Sequence, residues 1–193
     1  MRRQPSGRRP PHGRRDRSLS KPDDKLRLLH TEQDIRRRVR ELAREINRDY
    51  AGKTLHVVGI LDKSFLFVAD LVRHLTMPVL FHFVKPEIKD SSGDGYPSRV
   101  ITFVPRIEAA NKDILLVDGI LQSGLTLDHL YRHFLALKAA SVRTALLLEK
   151  IYERKVDVPT DYVGFKTKAK YLVGYGLGYE DRYRNLPFIA QLN

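Results

Sequence analysis

Asp113-Ile-Leu-Leu-Val-Asp118-Gly119-Ile-Leu-Gln122-Ser123-Gly124-Leu-Thr126-Leu127 is the stretch that decides how this chain folds. Its unbroken apolar run predicts a strand buried on both faces, followed by a short turn at Ser123-Gly124 and the start of a helix. Backbone N–H groups in such a turn, at a helix N-terminus, form an anion site suited to phosphate. Ser123 and Thr126 add hydroxyl donors, and Gly124 lets the backbone approach a ligand closely. An ordinary β–α turn with Thr126 as the helix cap uses the same residues, and ligand binding alone separates the two.

The surroundings extend this to an α/β domain. Thr31-Glu-Gln-Asp34 has the form of a helix N-cap with an acid at the third helical position. Ile35, Val39, Leu42, Ala43 and Ile46 then recur at helical spacing. Further helices are expected over residues 64–75, with Phe65, Val68, Ala69, Leu71 and Val72 inward, and over 126–139. Strands are expected over 55–61, 79–84, 99–104, 114–118, 142–149, 162–165 and 171–173. Residues 85–98 lack periodicity and are expected to form a mobile surface loop. Strands alternating with helices predict a mainly parallel twisted sheet flanked by helices. Ligands bind such sheets beyond the carboxyl ends of the strands, which selects the segments after Ile60, Val117 and Leu148.

With 193 residues and no cysteine, the chain suits one domain in a reducing compartment, the cytoplasm being the simplest, without disulfides or thiolate metal sites. No apolar run approaches the roughly 18 residues of a membrane span. The net charge of +12 is unevenly placed: seven arginines face one acid, Asp16, within residues 1–20. Rich in Pro, Gly and Ser, residues 1–27 are expected to be a disordered basic tail, with the ordered domain over 28–193. The tail reads as a solvated segment, as a weak contact to RNA or an acidic partner, or as a transit peptide.

Several collinear segments carry a resemblance. They are Val39-Arg-Glu-Leu-Ala-Arg-Glu-Ile46, Val58-Gly-Ile-Leu61 with residues 65–71, residues 115–127, Asp161-Tyr-Val-Gly-Phe165, Leu172-Val-Gly-Tyr-Gly-Leu177 and Tyr183-Arg-Asn-Leu-Pro-Phe-Ile189. In these, the chain from about Leu28 to Asn193 resembles the hypoxanthine/guanine phosphoribosyltransferases of purine salvage. The resemblance implies the type I phosphoribosyltransferase fold, with a small hood built from N- and C-terminal segments. It also implies transfer from phosphoribosyl pyrophosphate to a purine with magnesium, and assembly into dimers or tetramers.

Carried over residue by residue, the resemblance gives Ser123, Gly124, Leu125 and Thr126 the 5′-phosphate. Lys150 is placed at the purine 6-oxo group, Tyr171 against the base and Leu172 at the base edge through its backbone. Arg184 and Lys63 fall on the pyrophosphate side. Asp118 and Gln122 occupy the catalytic-motif positions, but there the chain departs from the pattern. The family has an adjacent Glu-Asp pair and a third Asp three residues on; here stand Asp118-Gly119 and Gln122. An amide cannot take up a proton at neutral pH. The family's Leu-Lys-Gly-Gly turn reads Leu61-Asp62-Lys63-Ser64, with Asp62 bringing negative charge towards the pyrophosphate, and a magnesium-linked Asp falls at Gly178.

These departures leave a purine nucleotide such as GMP or IMP as the expected ligand. No residue is assigned to hold a metal, magnesium is not expected to be held as in the family, and transfer is expected to be weak or lost. Two alternatives stay open. One is an active transferase whose acids come from Glu108, Asp113, Asp128 or Glu149. The other is a non-catalytic RNA- or protein-binding module on the same fold.

Overall fold

The computed structural model describes residues 26–91, 98–102 and 107–193. Most of the expected basic tail therefore lies outside the described residues. The main sheet is formed by β2 (Leu55–Ile60), β3 (Val79–Val84), β6 (Asp113–Leu121), β7 (Ser141–Lys150) and β8 (Tyr162–Thr167). These strands run in the order β3-β2-β6-β7-β8, and every neighbouring pair is parallel. Among the described residues three helices cover it: α1 (Glu32–Asp49), α2 (Phe65–Val72) and α3 (Leu125–Ala136).

Because successive strand residues point to opposite faces, the central strands feed two cores. Val57, Leu115, Val117, Ala145 and Leu147 pack with the apolar faces of α1 and α2. Val58, Leu116 and Leu146 pack with Leu127, Leu130 and Phe134 of α3. Helix α1 starts at a full capping box, in which the Thr31 hydroxyl accepts from the Asp34 N–H and the Asp34 carboxylate accepts from the Thr31 N–H. All five of its expected core residues are buried. In α2 the inward residues are Phe67, Val68 and Leu71, whereas Phe65 and Ala69 are exposed. This corrects the phase expected from sequence: the helix is only eight residues long, too short for its apolar period to fix which face turns inward.

Residues 85–98 are not simply a loop. β4 (Glu87–Ser91) pairs antiparallel with β5 (Ser98–Thr102), an arrangement that the polar composition of β4 conceals. Residues 92–97 of that expected loop, and 103–104 of the expected strand, lie outside the described residues. The hood is a three-stranded sheet in the order β1-β10-β9, formed by β1 (Leu26–His30), β9 (Leu172–Val173) and β10 (Ile189–Leu192). It joins the two ends of the domain, with Leu26 opposite Leu192. The Tyr175 hydroxyl donates to Asp70 at 2.6 Å, tying the hood's loop to α2.

Candidate functional site

The three segments selected from sequence converge beyond the carboxyl ends of β2, β6 and β7. A cavity of about 390 Å³ is lined by Leu61, Asp62 and Lys63 after β2, by Asp118 on β6, by Gln122, Ser123, Gly124 and Thr126, and by Arg184 from the hood. Gly124 is the N-cap of α3, held left-handed at φ +81°, and no side chain caps the helix. Thr126 is therefore not the cap; it lines the cavity at the first turn, where the Leu125 N–H makes only a long 3.5 Å contact to the Ser123 hydroxyl. The outer side of the turn is covered: the Lys155 N–H donates to the Ser123 carbonyl at 2.9 Å. A Cβ on Gly124 would lie 3.1 Å from Val156.

Next to this cavity is a slot of about 90 Å³ lined by Lys63, Ile120, Gln122, Lys150, Lys170, Tyr171, Leu172 and Tyr179, among others. Lys63, Ile120 and Gln122 line both spaces, so one ligand can extend from the phosphate turn into the slot. The slot is narrow and lined by aromatic and basic side chains. Tyr171 and Tyr179 meet edge to face at 5.8 Å between ring centroids. Lys150 is buried, and two of its three N–H donors go to Glu153, at 2.8 Å, and to the Lys170 carbonyl. The third remains for a ligand oxygen.

The glycines at two of the departing positions are packed tightly. A Cβ on Gly119 would lie 2.3 Å from the Lys63 carbonyl oxygen, so the loop after β2 sits where a side chain would start. The Leu61–Asp62 peptide in that loop is cis. At Gly178 a Cβ would lie 2.8 Å from the Arg184 side chain and 2.9 Å from the Arg182 carbonyl. Arg184 donates to the Gly176 carbonyl at 3.0 Å.

A model of the phosphoribosyl transferase domain matches residues 28–180 of this chain. The hypoxanthine-guanine phosphoribosyltransferase of Aquifex aeolicus is 40% identical over 167 residues, covering 84% of this chain and 92% of its own length. That of Dictyostelium discoideum is 38% identical, covering 86% and 94%. The chain belongs to the hypoxanthine-guanine phosphoribosyltransferase family. Among solved structures, a hypoxanthine-guanine phosphoribosyltransferase from Bacillus anthracis superposes with a TM-score of 0.79 at 35% identity, covering 86% of this chain and 98% of that one. The parallel sheet and hood are thus the type I phosphoribosyltransferase fold.

Within this family fold, the acids considered as replacements do not come to the site. Asp113 is at the opposite end of β6, bound to Ser141 and Lys53. Asp128 pairs with Arg132, Glu108 with Lys112, and buried Glu149 with Arg154 and Lys166. None of the four lines the cavity or the slot. Asp62 does line the cavity, but Lys85 stands 3.7 Å away and offsets its charge. Among the described residues, no group of three or more His, Cys, Asp or Glu converges as a ligand set. Lys170 and Tyr179 were not foreseen from sequence. The adjacency of Lys170 to Tyr171 was a usable signal, whereas Tyr179 lies in an aperiodic glycine-rich loop that offered none.

Asp118 is the carboxylate left at the centre. Burial pushes its carboxyl up to about 6, against weaker opposing effects from the Ile120 and Gly119 N–H groups and the Lys63 charge. The unfolded carboxyl ionises near 3.8, so between 3.8 and about 6 the folded state holds the extra proton. Stability therefore falls as pH rises through that window. Asp118→Asn should flatten this part of the stability profile, as measured by urea unfolding from pH 4 to 7. An unchanged slope would remove Asp118 as its source.

Proposed function

We propose that the protein binds a purine mononucleotide, GMP or IMP, through its 5′-phosphate, and that transfer from phosphoribosyl pyrophosphate is slow or lost. The observation that carries this is the make-up of one cavity. It brings the Ser123–Thr126 turn together with Asp118 and Gln122, while Gly119 leaves no room for a second carboxylate. In this reading the Ser123–Thr126 turn holds the phosphate. Lys150 donates to the 6-oxo group, Tyr171 flanks the ring, and the Leu172 backbone meets its edge. Gln122 has no basic lone pair to accept a purine proton. Loss of general base catalysis alone removes about 10²–10⁴-fold in rate.

Calorimetry with GMP and IMP tests the binding half, and no heat of binding at about millimolar ligand would sink it. Nucleotide formation from guanine or hypoxanthine with magnesium tests the other half. Turnover near the common enzymatic range of about 1–10³ s⁻¹ would instead establish a working transferase. That second reading is favoured by the 40% identity to a protein bearing the family's name.

The same reading includes self-association and a cytoplasmic setting. Edge strand β3 leaves Phe81 and Phe83 on one face, and Leu80 on the other, each at least 45% exposed, an apolar edge suited to a second copy of the chain. Sedimentation showing only monomer at working concentrations would exclude this. Among the described residues no helix is long and apolar enough to cross a membrane. The arginines of residues 1–20 fit a weak RNA contact whose affinity falls steeply with salt. Equal RNA affinity after deletion of residues 1–20 would remove the tail from that role.

A further inference from the structure

Gly119 and Gly178 stand where the family resemblance places acids, and at each the space is taken up, at Gly119 by the backbone of Lys63 and at Gly178 by the Arg184 side chain and the Arg182 carbonyl. The Lys63 carbonyl lies 2.3 Å from where a Cβ on Gly119 would be, and 2.9 Å from one on Gly176, so this loop residue is fixed between β6 and the hood. Its side chain is exposed, lines both the cavity and the slot, and makes no hydrogen bond or salt bridge among the described residues. Arg184 packs across Gly178, is held by the Gly176 carbonyl and lies 3.6 Å from the solvent-exposed Asp181, with its side chain lining the same cavity.

The carboxylates that remain do not fit a magnesium ion. Magnesium requires a near-octahedral oxygen shell and sheds its own water reluctantly. Asp62 is exposed beside Lys85, and Asp118 lies under the charge of Lys63. An ammonium or guanidinium group supplies the same sign of charge to a phosphate without a carboxylate cage. Resting on the nucleotide-binding reading, we propose that Lys63 and Arg184 take the place of the divalent cation, so that this site neutralises its anionic ligand with fixed side-chain charge and binds it independently of magnesium.

The test is calorimetric titration of the full chain with GMP and, separately, with inorganic pyrophosphate, each in EDTA and in magnesium. Binding is expected to be as tight in EDTA as in magnesium, within about twofold. Lys63→Gln should weaken it about tenfold or more, and Lys63→Arg should restore most of the loss. Among the described residues the Lys63 side chain makes no hydrogen bond or salt bridge and only a weak charge interaction with Asp118, so these variants should be folded. Tenfold or greater tightening by magnesium overturns the proposal, as does Lys63→Gln binding like the parent chain. Magnesium-dependent GMP binding would sink this proposal and leave the nucleotide reading intact. Magnesium-free pyrophosphate binding that needs Lys63, with no GMP binding, would do the reverse; no binding of either ligand sinks both.

Discussion

Gln122→Asp is expected to raise nucleotide formation from guanine and phosphoribosyl pyrophosphate by about 10²-fold. Gln122 lines both the cavity and the slot, so in the proposed binding mode an aspartate there would sit beside the ring and supply the proton acceptor that the amide lacks. The gain is placed at the low end of what a general base contributes, because the second ribose carboxylate is still missing. GMP affinity should move the other way, since a new negative charge faces both Asp118 and the 5′-phosphate. Initial rates and calorimetry on the same preparation check both signs. A rate identical to that of Gln122→Asn would show that proton transfer is not what this site has lost.

Gly119→Asp is expected to cost about 3 kcal/mol or more of folding stability, even though it brings the sequence closer to the family pattern. Its Cβ would collide with the Lys63 carbonyl, and its carboxylate would be buried next to Asp118. Urea unfolding measures the loss. Adding Lys63→Gly frees the loop backbone and should recover part of it, giving a coupling of about 0.5 kcal/mol or more between the two positions. Additive effects would show that the loop and the strand do not constrain each other.

Local signals carried most of the fold. In α1 the spacing of Ile35 to Ile46 and the cap at Thr31 act within a few residues, so they could be read directly. The β2 and β6 runs and the turn at Ser123-Gly124 were legible for the same reason. Helix α2 failed because eight residues span barely two turns, and Phe65 and Phe67 compete for the inward face. Strand β4 failed because its partner β5, not its own apolar pattern, makes it a strand. At the site, residue types revealed what was missing but not what replaced it. Whether Thr126 capped the helix stayed open in sequence, and the left-handed Gly124 proved to be the cap. The packing of Lys63 on Gly119 and of Arg184 on Gly178 joins loops distant in sequence or folded back on themselves, and no periodicity encodes such contacts.

The pairing of Leu26 with Leu192 has a consequence for engineering. Partners in an antiparallel ladder are about 5 Å apart, so with residues 1–25 removed a peptide bridge of a few residues could join Asn193 to Leu26 and turn the domain into a ring. No residue of the cavity or slot would need to move. New termini could then be opened in the turn around Gly52, where nothing lies within 4 Å of a Cβ, giving a permuted chain with its cavity and slot intact.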